Sequence, residues 1–356
     1  MGAIRFLLAV TVVLNHAGPL FGLIFTDAYI AIKIFFIISG FYMSLILSSK
    51  YVGPGTYRLF ITNRFLRLFP AYWVVLALSF LASLFFWQVL DTKLLLGPWI
   101  ARQDFLSPLA AAALVLANLS VYGQDILFFL GLSPAGSFYF DVNALAAPQP
   151  AWYYLLVPQA WTISLELTFY LLAPVLVRSK TRLLAGLIAA SLAVRWYIAV
   201  QGLPADPWEQ RFFPAEFGFF LLGILCHRLY RRITARPMRP WLPPAVTAGF
   251  LCFLLSYQFI PGGLSKELCT YVLTMLALPY AFYATRHMKF DRMVGELSYP
   301  IYISHWLIIV VLRYYVPESQ LPLLSVLATV AFCTVFNILL TNRIERYRQK
   351  RVLAAS

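Results

Sequence analysis

The sequence predicts an all-α protein: a polytopic membrane helical bundle of about ten transmembrane helices, with one re-entrant segment on the external side. Three observations carry this. Apolar residues make up 61% of the 356 positions and charged residues 12%, whereas a soluble domain has about 45–50% and about 25%. Apolar runs of roughly 20 residues, the length that crosses a bilayer as a helix, recur from end to end. The Lys and Arg surplus, which sets the net charge at +14, falls between those runs, where orientation signals sit. A disordered chain, a collagen-like chain and a disulfide scaffold are thereby excluded, and a soluble enzyme is strongly disfavoured. The placement of the basic residues also argues against a nucleic-acid partner. One membrane domain over residues 1–356 is expected, with no soluble domain and the lipid bilayer as its surroundings.

The spans run, in order, over residues 4–24, 28–49, 70–90, 159–177, 183–200, 214–230, 241–260, 267–285, 294–315 and 322–342. The first holds Asn15 and His16 and lacks a cleavage-like site, so it reads as a retained helix rather than a signal peptide. A basic cluster follows every second span: Lys50 to Arg67, Arg178 to Arg182, Arg228 to Arg239, Arg286 to Arg292 and Arg343 to Arg351. The positive-inside rule places all five in the cytoplasm, and with them both termini. The expected location is a bacterial inner membrane. Residues 108–131 are apolar enough to span, but a crossing there would turn the Arg178 cluster outward. Asn118, Gly123, Gln124 and Asp125 also interrupt them. A re-entrant path fits, and irregular backbone at that depth requires cover by protein or a water-filled cavity. The stretch 122–158 lacks Lys and Arg and is rich in aromatics. It reads either as an interfacial belt or as a platform for a sugar-like acceptor. Cys226, Cys252, Cys269 and Cys333 lie in or beside apolar segments without metal-ligand spacing, so they read as packing residues and no metal is expected.

Polar groups inside the spans are the functional signal, because a charge at the bilayer centre costs at least about 2.5–3.5 kcal/mol. His16 lies 11 residues past Arg5, Ser39 11 before Lys50, Glu166 12 before Arg178 and His305 13 past Arg292. At a helical rise of about 1.5 Å these are depths of about 16–20 Å, one common level. A histidine there suits proton transfer near neutral pH, and a carboxylate suits its orientation. Arg195 and Glu216 read as an ion pair within the bundle, while Lys33 and Arg313 read as side chains that reach outward to an interface. Arg64 and Arg67, spaced on one helical face, read either as lipid anchors or as a clamp for a phosphate-bearing substrate.

These residues fall into segments that together resemble a known family. The first helix has Arg5 and His16 separated by ten residues. The second reads FFIISGF, Phe35 to Phe41, and the following loop RFLRLFPAYW, Arg64 to Trp73. The fourth span carries Trp161, Ser164, Glu166, Phe169 and Tyr170. The ninth opens GELSYPIYISHW, Gly295 to Trp306, and the end reads RIER, Arg343 to Arg346. In this order they resemble the acyltransferase-3 family of integral membrane O-acyltransferases, which modify surface polysaccharides and related acceptors. The chain departs from the pattern at Lys33, where many members have an acidic residue.

The resemblance implies an enzyme that moves an acyl group, acetyl by expectation, from cytosolic acyl-CoA to a hydroxyl of a cell-surface glycan or exopolysaccharide precursor. It implies catalytic roles for His16 and Glu166 and donor binding by Arg5, Arg58, Arg64 and Arg67. Ser39, Trp161, Tyr170 and His305 are expected to support the substrate or the oxyanion. Whether His16 acts as general base or is itself acylated stays open. The competing reading is a transporter or flippase whose midplane charges relay protons.

Overall fold

The computed structural model describes residues 1–53, 55–101 and 105–353. It is all-α apart from one small hairpin. The principal helices are α1 (Gly2–Ala17), α2 (Ala28–Leu47), α3 (Thr56–Leu90), α4 (Pro108–Ser120), α5 (Trp161–Arg178), α6 (Thr181–Val200) and α7 (Phe213–Thr234). They continue with α8 (Leu242–Ser256), α9 (Leu264–Thr285), α10 (Lys289–Glu296), α11 (Ser298–Tyr315), α12 (Leu321–Phe336) and α13 (Asn342–Leu353). The hairpin pairs β1 (Leu130–Leu132) with β2 (Phe138–Phe140), Gly131 facing Tyr139.

Among the described residues eight helical segments are long and apolar enough to cross a membrane, and they match eight of the ten expected spans. The sixth expected span is helical as α7 but less apolar, because it carries Glu216, His227 and Arg228. The first is shorter than expected. Helix α1 stops at Ala17, since Gly18 adopts φ 107° and Pro19 follows. The run to residue 24 is instead a turn closed by Leu20 and Leu23. Helix ends elsewhere carry local signals. The Asp27 carboxylate caps α2 by accepting from Tyr29 N, and Ser107 with Pro108 starts α4.

The chain forms two compact units. The first comprises residues 1–67, 172–188 and 219–356. In it α1 packs on α2, α10, α11 and α12, around a core that includes Ala9, Val13, Ile301, Ile309 and Cys333. Helix α2 meets α7 backbone to backbone: a Cβ on Gly40 would lie 1.9 Å from the Phe220 carbonyl oxygen, and one on Gly223 2.0 Å from that of Ile37. Only glycine fits this seam, which explains the glycine of the FFIISGF segment.

The second unit comprises residues 68–171 and 189–218. Helix α4 has 13 residues, so it rises only about 20 Å and then gives way to short turns and the hairpin. The polar residues that interrupted residues 108–131 tie this segment down. Asn118 Nδ2 donates to the Leu114 and Tyr154 carbonyls at 2.9 and 3.0 Å, and its Oδ1 accepts from Leu156 N at 2.9 Å. Gln124 Nε2 donates to the Tyr72 hydroxyl at 3.1 Å. Gln124 Nε2 also donates to the Ala117 carbonyl at 3.1 Å, so both buried amides bind backbone beside the break in the helix.

Candidate active site

His16 sits in the last turn of α1, and three contacts fix it. Asn15 next to it donates to the carbonyls of Thr11 (2.8 Å) and Thr26 (3.0 Å) and accepts from Ala28 N (3.2 Å), which stitches the end of α1 to the start of α2. Arg313 Nη2 donates to the His16 carbonyl at 3.0 Å, so a cation caps the C-terminal end of α1. The imidazole Nδ1 lies 2.8 Å from the Val12 carbonyl oxygen. A carbonyl only accepts, so Nδ1 donates in this bond and the basic lone pair sits on Nε2.

His305 repeats the arrangement from α11. Its Nδ1 lies 2.7 Å from the Tyr302 carbonyl oxygen, the side chain is fully buried, and Nε2 has no hydrogen-bond partner among the described residues. The two imidazole centroids are 5.1 Å apart, and Trp306 sets its ring edge-on to His16 at 5.5 Å. A buried acceptor without a partner is costly in a finished core.

The start of α1 carries Arg5. The Asp291 carboxylate of α10 accepts from the backbone N–H of Gly2 (2.8 Å) and Ala3 (2.9 Å) and so anchors that first turn. The Arg5 guanidinium lies 5.9 Å from the Tyr42 ring centre. Arg64 is buried and lies 5.9 Å from the Phe60 ring centre. Arg5, Arg67 and Arg292 act electrostatically on Glu296, and Arg64, Arg67 and Arg348 on Glu345. Five arginines therefore face two glutamates in a partly buried cluster, a surplus of positive charge suited to phosphate oxygens. Arg58 is exposed on the first turn of α3, and no described side-chain contact ties it to this cluster.

Two members of this region were not foreseen. Arg348 Nε donates to the Asn63 carbonyl at 2.8 Å, and Arg351 donates to Asn63 Oδ1 and Thr62 Oγ1, both at 3.0 Å. Helix α13 thus grips the segment that carries Arg64 and Arg67. The basic run at 343–351 read as a topology signal and, at RIER, as part of a family resemblance, and no local pattern announces a contact 285 residues away in sequence.

In the second unit Glu166 and Tyr170 lie one turn apart on α5, and the Tyr170 hydroxyl donates to Glu166 Oε1 at 2.5 Å. Trp161 at the head of the helix presents its ring to the Arg211 guanidinium at 4.5 Å. Phe128 covers that guanidinium at 3.8 Å, and Asp206 pairs with it at 2.6 and 2.7 Å. The Ser164 hydroxyl donates to Asp125 Oδ1 at 2.5 Å and accepts from Gly123 N at 2.9 Å, so the interrupted segment is latched onto α5. The expected Arg195–Glu216 pair is present at 3.1 Å, and Arg195 also holds Glu209 at 2.9 Å.

Ser39 is buried on α2. Lys33 corrects the expectation of an outward-reaching side chain: it is 5% exposed, with Nζ 5.8 Å from the Phe219 ring centre. Its position on the inner face of α2 decides this, which counting residues along the helix does not reveal. Arg313 is exposed, and its Nη2 donates to the His16 carbonyl. A buried Ser44–His227 hydrogen bond of 2.8 Å was also missed, because His227 adjoins the basic run that begins at Arg228. Among the described residues no group of three or more His, Cys, Asp or Glu is placed to hold a metal ion.

A family model described as an acyltransferase domain matches residues 1–342. Among curated proteins, the chain is similar to the putative membrane-bound transacylase BcsY of Komagataeibacter xylinus, 27% identical over 87% of this chain and 72% of that protein. It is similar to the peptidoglycan O-acetyltransferase OatA of Listeria monocytogenes, 24% identical over 79% of this chain. The alignment covers 45% of OatA's own length. A protein named for its place in the picA locus of Rhizobium radiobacter is 37% identical over 24% of this chain and 44% of its own length. No solved structure matches.

Proposed function

We propose the following reading from one premise: the chain belongs to the acyltransferase-3 family and is a membrane O-acyltransferase. The acyl group is acetyl, the donor is acyl-CoA from the cytosol, and the acceptor is a hydroxyl of a cell-surface glycan or exopolysaccharide precursor. The names of BcsY and OatA support acyl transfer, and OatA's name supports a glycan acceptor. The basic clusters after alternate spans support inner-membrane placement with both termini in the cytoplasm.

The observation that carries the reading is helix α1 itself. It holds Arg5 in an arginine-rich cluster at one end and His16, whose basic nitrogen is Nε2, about 16 Å along at the other. A donor anchored by its phosphates at Arg5, Arg64 and Arg67 extends its pantetheine arm toward His16. His16 Nε2 takes the proton of the acceptor hydroxyl, and the alkoxide attacks the thioester carbonyl. The carbon–sulfur bond breaks, and the proton passes to the departing thiolate. Transfer through an acylated His16 keeps the same balance in two steps. His305 stands beside His16 as a second acceptor for a substrate proton. Glu166, with Tyr170 bonded to it, is proposed as the catalytic carboxylate, and Trp161 and Ser39 as supporting residues. Arg58, exposed and outside the described cluster, is proposed only as an outer contact for the donor.

The test is transfer of isotopically labelled acetyl from acetyl-CoA to surface glycan in membranes that contain the protein. A mass shift of one acetyl unit, lost with His16→Ala, supports the reading. Uptake of a solute into sealed vesicles with no CoA released favours the transporter and overturns it.

A further inference from the structure

The end of α2, the start of α3 and the last turn of α5 border an open cavity of about 590 Å³ in the first unit. That volume lies within the range of small-molecule sites. Leu47, Tyr51 and Tyr57 form one wall, and Pro174, Val175 and Arg178 the other. Tyr57 is 50% exposed, so its ring is open to a ligand. Arg178 is exposed, and among the described residues no hydrogen bond or ion pair holds its guanidinium. Tyr51 is buried by contrast, its ring edge-on to Phe60 at 5.5 Å. Its hydroxyl accepts from Asn63 Nδ2 at 3.0 Å. Asn63 is the same residue whose oxygens receive Arg348 and Arg351. Tyr51, which lines the cavity, is thereby linked through Asn63 to the arginines of α13.

We infer that this cavity receives the nucleoside end of the acyl donor, with the purine against Tyr57 and the ribose 3′-phosphate on Arg178. The inference rests on the donor reading above and extends it to a separate subsite. The chemistry of the two regions differs in the required way. Several arginines around two glutamates suit a diphosphate held between forks, whereas one unengaged guanidinium beside an aromatic face suits a single phosphate monoester attached to a base. A flat heterocycle covers apolar surface against a tyrosine without strict hydrogen-bond demands. A phospholipid headgroup would offer Arg178 the same phosphate without the base, and the experiment separates the two sources.

The purified full chain in detergent is titrated with CoA, with 3′-dephospho-CoA and with adenosine 3′,5′-bisphosphate. Wild type is expected to prefer CoA to 3′-dephospho-CoA about tenfold, the worth of one charge-assisted hydrogen bond. Arg178→Ala removes the preference by weakening CoA alone, and its unchanged affinity for 3′-dephospho-CoA reports an intact fold. Tyr57→Ala weakens both ligands. Adenosine 3′,5′-bisphosphate displaces CoA from wild type. Wild-type preference retained in Arg178→Ala overturns the subsite and leaves the donor reading standing. Loss of co-purifying phospholipid from Arg178→Ala, with CoA binding untouched, assigns the cavity to lipid and overturns it too. A wild-type protein that binds no CoA fails the donor reading itself, and the subsite with it.

Discussion

The imidazoles of His16 and His305 stand 5.1 Å apart, and each points its Nδ1 at a carbonyl of its own helix, Val12 and Tyr302. The matching tautomers put the basic nitrogen of each ring at Nε2. In the proposed reaction this pair is where the acceptor hydroxyl is received.

His16→Ala is expected to lower acyl transfer by about 10²–10⁴-fold while the protein still inserts and accumulates. His305→Ala should lower it less, since in the proposed step His16 takes the proton and His305 only offers a second hydrogen-bond acceptor beside it. Labelled acetyl transfer normalised to protein in the membrane measures both. Near wild-type transfer by His16→Ala removes the catalytic assignment.

Arg67 faces both Glu296 and Glu345, so its loss removes one positive charge from the cluster without emptying it. Arg67→Ala should raise the KM for acetyl-CoA about tenfold or more and change kcat little, as expected for a uniform binding contact. An unchanged KM returns Arg67 to membrane anchoring.

Glu166→Gln keeps the shape of the side chain and removes its charge. Transfer should fall by about 10²-fold or more if the carboxylate takes part in proton movement. Tyr170→Phe deletes the hydroxyl that donates to Glu166 and should cost about 1.5–3 kcal/mol of that interaction. Full activity in Glu166→Gln would confine both residues to packing.

Gly40→Ala places a methyl group 1.9 Å from the Phe220 carbonyl oxygen. Either α2 or α7 must shift, so a loss of about 1–3 kcal/mol is expected, seen as a lower Tm in detergent. Ala at Gly249, where nothing lies within 4 Å of the added carbon, is the control that should leave Tm unchanged.

Arg195→Met strands Glu216, which is 1% exposed. Breaking such a buried pair costs about 3–5 kcal/mol, while Arg195→Met with Glu216→Leu should recover much of it. Yield of folded protein from membranes distinguishes the two. Equal yields would place the pair's stability in Glu209 instead.

The parts legible in sequence were the local ones. Apolar runs gave eight spanning helices, and the ten residues between Arg5 and His16 gave their separation because both stand on one unbroken helix. The interruptions at Asn118 and Gln124 announced irregular backbone, and those side chains bind that backbone. What stayed hidden depends on azimuth or on distant partners. Lys33 points inward by its position around α2, and Arg348 reaches Asn63 across most of the chain. Ser44 and His227 lie 183 positions apart, joined only by packing.

The glycine seam between Gly40 and Gly223 bears on how substrates enter. With backbones in contact and no side chains to repack, α2 and α7 have no slack to slide or part without losing the fit altogether. They form a fixed wall, and Lys33 and Ser39 ride on it. Gating must therefore be looked for in other elements. Paired spin labels on the two helices near this seam should report one narrow distance whether or not donor is bound.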